Sequence, residues 1–177
     1  MNIHFAADTH FGHKNIIHHA NRPFADVEEM DEGLISVWNA KVGPRDEVWF
    51  LGDFSFHKAP QTETIFSRLN GTKHLVVGNH DGKATTSLPW SSQSQMKRLN
   101  VNGERFELCH FPLEVWDAAH HGAFHLHGHS HGTLQRVMPR RMDVGVDLQP
   151  DCSPFSIDEI LDRLSVENFT PEDHHGS

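Results

Sequence analysis

The 177-residue chain reads as a single α/β domain on three observations. Strand and helix patterns alternate in the order β, α, β, α, β up to Val77, as an α/β core requires. Five apolar runs each stop at a residue able to hold a metal ion, as strands do when they deliver side chains to one rim of an open sheet. The length is enough for a core of its own but not for a catalytic domain plus a cap. Residues 1–170 are therefore assigned to one domain and 171–177 to a flexible tail.

The first apolar run, Ile3 to Ala7, ends at Asp8, and a polar and aromatic loop from His10 to Phe24 follows. Asp26-Val27-Glu28-Glu29 then reads as a capping box opening a helix in which Val27, Met30, Leu34, Trp38 and Val42 recur at helical spacing, with Gly43-Pro44 as its stop. Asp46 to Leu51 is the second strand and ends before Asp53. Thr62, Ile65, Phe66 and Leu69 mark a short amphipathic helix closed by Asn70-Gly71, and Lys73 to Val77 is the third strand, stopping before Asn79. Lys83 to Gln95, rich in Ser and Thr, reads as a surface loop lying over the site. Asn102-Gly103 between Met96–Val101 and Glu104–Cys109 is a strong hairpin signal, and the second of those runs stops at His110. Ala123 to Leu126 runs into His127-Gly128-His129-Ser130-His131. Leu134 to Met138 and Met142 to Val146, joined by Pro139-Arg140-Arg141, read as another hairpin. Ser156 to Glu159 is a second capping box, with Phe155 and Ile160 placed as a hydrophobic staple.

The net charge of −9 argues against a surface built to track long nucleic acid, which needs an excess of Lys and Arg, and a small phosphate ester fits better. With Cys109 and Cys152 the only cysteines, there is neither a disulfide framework nor a thiolate cluster, so any metal is held by nitrogen and oxygen. No apolar run approaches the roughly 20 residues of a membrane span, and the amino terminus lacks the pattern of a secretion signal. No membrane partner and a cytoplasmic location are expected. Among the 17 histidines, clustering matters more than number, and His174 and His175 read as tail residues.

Four short motifs carry chemistry. Asp8-Thr9-His10 sets a carboxylate and an imidazole just past a strand, although a turn Asp beside a surface His reads the same way. Asp53 is an ionisable group at the end of an apolar run and needs a partner there, a turn cap being the plainer alternative. In Gly78-Asn79-His80-Asp81, Asn79 offers a neutral oxygen, Gly78 permits close backbone approach, and His80 is a candidate proton donor that Asp81 orients or charges. Gly128-His129-Ser130-His131-Gly132 puts two imidazoles two residues apart between glycines, which suits two neighbouring metals, with a solvated His run as the alternative.

Taken in order, Asp-x-His, Gly-Asp, Gly-Asn-His-Asp, a lone His and Gly-His-x-His make the chain resemble the calcineurin-like metallophosphoesterase family, in the form of its small single-domain bacterial or phage-type members. The resemblance implies an α/β fold of the four-layer αββα kind, two mixed sheets flanked by helices, with the hairpins between Met96 and Val146 as the second sheet. It implies two divalent metal ions. Asp8, His10 and His131 would hold one, Asn79, His110 and His129 the other, with Asp53 bridging. A mixed imidazole and carboxylate set suits Mn, Fe or Zn, with Ni or Co also admissible, better than Ca or Mg. The reaction implied is hydrolysis of a phosphoric ester by attack of a metal-bridging hydroxide. His80 would then protonate the departing alkoxide or steady charge on the phosphorus, and Asn79 and His80 would also touch substrate.

Arg22 is added from the residues alone as a substrate-binding group, because guanidinium forks suit phosphate and cations are otherwise scarce near the motifs. His13, His18 and His19 share its loop. Asp143 and Asp147 are expected to support the second sheet or to orient site histidines, and ordinary turn roles fit them as well. His125 and His127 share one strand parity and receive no ligand role, and Cys109 reads as a small buried apolar residue. A compact phosphodiester, cyclic or short and nucleotide-like, suits a small acidic chain. A phosphomonoesterase or nucleotide pyrophosphatase on the same site is the alternative. A non-catalytic metal-binding scaffold would need neither His80 nor a full ligand set, and a zinc or nickel reservoir would not explain carboxylates and Asn79 at strand ends.

Overall fold

The computed structural model of the chain describes residues 1–164, and the expected tail at 171–177 lies outside the described residues. One sheet is built from β1 (Ile3–Ala6), β2 (Glu47–Phe50), β3 (Thr72–Val76), β4 (Ser92–Ser94) and β9 (Phe155–Ser156), in the order β4-β3-β2-β1-β9. Its first four strands are parallel, and β9 returns antiparallel to β1 with Phe5 opposite Phe155. The other sheet is built from β5 (Met96–Val101), β6 (Glu104–Cys109), β7 (Phe124–His127) and β8 (Arg141–Asp143), in that order. Asn102-Gly103 turns β5 into β6, while β6, β7 and β8 run parallel. Both sheets are mixed, as expected.

Strand alternation decides which residues meet between the sheets. Phe5, Trp49, Leu51 and Val76 of the first sheet pack on Phe106, Leu108, Phe124, Leu126 and Met142 of the second. Ala6, Phe50 and Leu75 face the other way, onto α2 (Val27–Lys41) and α3 (Ala59–Arg68) through Met30, Leu34, Trp38, Ile65 and Phe66. Burial of each of the larger side chains stabilises by roughly 1.5–3 kcal/mol. Asp26 caps α2 by accepting from the Glu29 amide at 2.8 Å. The capping box of α5 (Ile157–Leu164) is reciprocal: Ser156 Oγ accepts from the Glu159 amide and Glu159 Oε2 from the Ser156 amide.

Several local expectations are corrected. The loop from His10 to Phe24 contains a short helix, α1 (Lys14–His19), that drops Ile16 and Ile17 into the helix-side core. Lys83 to Gln95 is no free loop over the site. It forms α4 (Lys83–Thr86) and the edge strand β4, and Trp90 is buried against Phe50, Phe54 and Phe66. Leu134 to Met138 forms no strand, since Val137 is 87 % exposed with nothing to cover. The partner of Met142 is instead Leu126, in parallel, and Arg141 donates to the carbonyls of Leu113 and Arg136, which hold this stretch as a loop. Trp116, Ala119, Ala123 and Met138 form a small cluster around a 3-10 turn, Ala119–His121, beside outward-facing His125. The fold is thus α/β, with α2 and α3 packed on the first sheet and α5 joining the core between the sheets through Ile157 and Ile160.

Candidate metal centre

The chain ends of five strands meet on one rim. The Ala7 amide donates to Val144 O at 3.1 Å and the Val146 amide to Ala7 O at 3.0 Å, stitching the end of β1 to the segment beyond β8. The loops after β1 and β2 run side by side, since the amides of Asp8, His10 and Phe11 donate to the carbonyls of Gly52, Asp53 and Phe54. This approach requires glycine: a Cβ on Gly78 would stand 2.4 Å from Asp53 Oδ1, and one on Gly52, whose φ is 92°, 2.6 Å from His110 Nδ1.

Two groups of ligating atoms result, Asp8 with His10 and His131, and Asp53 with His110 and His129, each within 4.8 Å of one another. Asp53 Oδ2 lies 3.7 Å from His10 Nε2 and 3.5 Å from His110 Nε2, so one carboxylate faces both groups. Asn79 Oδ1 stands 2.9 Å from His110 Nε2 on the second side. The backbone is strained at these same positions. Asp8, His10, Asp53, His129 and His131 all have φ between 47° and 68°, a conformation costing a non-glycine residue on the order of 1 kcal/mol that persists where surrounding structure enforces it.

The donor set fits divalent cations. Asp8 Oδ1 and both ring nitrogens of His10 are buried with no hydrogen-bond partner, an arrangement costly without a ligand. Burial, with Asp143 and Asp53 nearby, pushes the Asp8 carboxyl well above its ordinary value. Burial, together with His131 and Arg22, pulls His10 down to about 2. A cation between them relieves the first penalty and needs the neutral imidazole of the second. The imidazoles are also aimed: His110 Nδ1 bonds Leu51 O at 2.7 Å and His131 Nδ1 bonds Asp147 Oδ2 at 2.7 Å, leaving Nε2 toward the centre. Asp8 Oδ2 accepts from the His129 amide, and Asp143 from the amides of Gly132 and Gly145.

His80 reaches the centre from β3. Its amide donates to Asp53 Oδ1 at 2.9 Å, its Nε2 is 4.0 Å from Asp53 Oδ2, and about half of the side chain is exposed to solvent. Two expectations are corrected. Asp81 does not serve the His80 ring: its carboxylate accepts from the amides of Asp53, Phe54 and Gly78 at 2.8–2.9 Å and so ties the β2 and β3 loops together. Arg22 is buried and does not face an anion. Its Nε and Nη2 bond Asp147, while Nη1 and Nη2 take the carbonyls of Thr9 and Asp8, so that it shapes the ligand loop from behind. His18 and His19 are exposed on α1, whereas His13 stacks on Phe56. Sequence reasoning passed over Phe56 and Phe111, which pack on site histidines. The only signal is that Phe111 directly follows His110; nothing in the sequence singles out Phe56.

No family model matches the chain. An uncharacterized protein of Methanocaldococcus jannaschii, MJ1445, is 34 % identical over 166 residues, covering 90 % of this chain and 89 % of that protein. The gene 66 protein of Mycobacterium phage D29 is 29 % identical over 196 aligned positions, covering 93 % of this chain and 96 % of its own length. Among solved structures, a protein of unknown function from Aquifex aeolicus, AQ665, superposes with a TM-score of 0.71 at 24 % identity over 92 % of this chain and 98 % of that one, a likeness of fold. An archaeal phosphodiesterase is a slighter likeness, TM-score 0.49 at 18 % identity over 82 % and 84 % of the two chains, and carries no argument.

Proposed function

We propose that this chain, which belongs to one family with the Methanocaldococcus jannaschii protein MJ1445, is a metal-dependent phosphoesterase acting on a small phosphodiester. The observation that carries the reading is the position of Asp53, whose single carboxylate faces both groups of imidazole and carboxylate donors. Asp8, His10 and His131 would hold one divalent cation and Asn79, His110 and His129 the other, with Mn, Fe or Zn, and then Ni or Co, suiting these donors. A pair of such ions, when bound, neutralises phosphoryl oxygens and acidifies water near neutral pH.

The protein's own residues supply the rest. His80, half-exposed at the rim and anchored through its amide to Asp53, is placed to give a proton to the departing alkoxide. Arg22 is fully engaged behind the site, which removes the guanidinium a monoester dianion would call on and favours the diester, with its single charge. The test is turnover of bis(p-nitrophenyl) phosphate against p-nitrophenyl phosphate by metal-stripped and Mn²⁺-reconstituted protein, alongside the bound-metal count. Faster diester turnover that appears only with two equivalents of metal is expected. Neither ester reacting with any of the five metals would favour a non-catalytic scaffold.

A further inference from the structure

Among the described residues the exposed large apolar side chains include two aromatic ones, Phe56 at 41 % and Phe111 at 45 % exposure, and each lies against one of the two ligand groups. The ring of Phe56 stacks on His13 at 4.2 Å and on His10 at 5.2 Å and meets His80 at 5.0 Å. His10 and His13 are only 5.5 Å apart, too close to sandwich a phenyl ring, so both lie on one side of Phe56, which keeps 41 % of its surface exposed. Phe111 meets His110 at 5.0 Å and His129 at 4.8 Å, both edge-on. Exposed phenyl groups gain nothing from water, and planar ligands stack well on such faces.

Resting on the hydrolase reading above, we infer that the site takes phosphodiesters with a planar aromatic group on each arm, a dinucleotide in the simplest case. The base of the leaving arm stacks on Phe56, because Phe56 adjoins His80, the residue placed to protonate the leaving oxygen. The other base stacks on Phe111. Stacking tolerates any base, since each has a π face, so selectivity falls on aromatic against aliphatic arms rather than on sequence.

The experiment compares kcat/KM of the Mn²⁺-loaded full chain for adenylyl-adenosine and for glycerophosphoethanolamine, a diester with two aliphatic arms. The dinucleotide is expected to be preferred. The preference ratio should fall roughly 5- to 100-fold in Phe56→Leu and in Phe111→Leu, chiefly through KM, and Phe56→Trp should restore it. A second readout is fluorescence of a phosphorothioate dinucleotide carrying 2-aminopurine, quenched on binding to the wild type and less so by Phe56→Leu. Equal kcat/KM for the two diesters, or a ratio unmoved in both leucine variants, overturns the inference while leaving the hydrolase reading intact. Quenching that depends on Phe56 without turnover of any diester supports the stacking and sinks the hydrolase.

Discussion

Asp147 accepts a 2.7 Å hydrogen bond from Nδ1 of His131 while the same carboxylate takes Nε and Nη2 of Arg22. Burial alone would push the Asp147 carboxyl up, yet the bonds from His131 and Arg22 hold it below its ordinary value. An ionised Asp147 therefore fixes the tautomer of His131 and its aim toward the first ligand group. Asp147→Asn is expected to weaken binding of Mn²⁺ by roughly 10- to 100-fold. Competition with a chelator measures this, and an unchanged affinity would remove Asp147 from the support of the site.

Arg22 tests the same cluster from the other side. Arg22→Gln strips two main-chain carbonyls of their donors and leaves Asp147 a poorly compensated buried charge, a loss of about 3–5 kcal/mol for a buried pair. The expected result is a lower midpoint in thermal or urea unfolding, with KM for a small diester little changed in whatever protein folds. A selective rise in KM at unchanged stability would return Arg22 to the anion-binding role expected from the sequence.

His80→Ala and Asp53→Asn separate proton transfer from metal holding. Loss of His80 should lower kcat by roughly 10²- to 10⁴-fold with bound metal retained, because its side chain is half-exposed and outside both ligand groups. Loss of the Asp53 charge should lower metal content and activity together. Metal analysis paired with steady-state kinetics decides, and equal kcat in His80→Ala ends the acid role.

His125 sets a pH limit on the second sheet. Its Nε2 accepts from the Leu113 amide and its Nδ1 bonds Glu107 O, so only the neutral ring satisfies both. Burial pulls it down from 6.5 to about 4. With the folded pKa depressed, its contribution is complete above pH 6.5 and is lost as pH falls toward 4, up to about 3 kcal/mol. Urea unfolding from pH 7 to pH 4 should show a steeper loss in the wild type than in His125→Gln. Parallel curves would place the pH sensitivity elsewhere.

Much of this architecture was legible in residue patterns, for reasons particular to each element. Asp26 and Ser156 announce their helices because capping is local chemistry, and Asn102-Gly103 announces its hairpin because few residues tolerate that turn. The meeting of Asp8, Asp53, His110, His129 and their neighbours was expected from motif order, each motif following an apolar run. What stayed hidden depends on partners far away in the chain. Nothing near Arg22 reveals that Asp147 will claim it, and nothing near Asp81 reveals that the amides of Asp53 and Phe54 will. α1 was missed because, in six residues, only Ile16 and Ile17 are apolar, and the exposed Val137 made a loop resemble a strand.

The antiparallel pairing of Phe5 with Phe155 has a kinetic consequence. Within the described residues the strand carrying Phe5 must wait for the one carrying Phe155 before its sheet is complete, so this contact joins stretches far apart in sequence. Non-local pairings of this kind slow folding. Synthesis as far as His131 should therefore leave the sheet incomplete until β9 is also available to pair with β1.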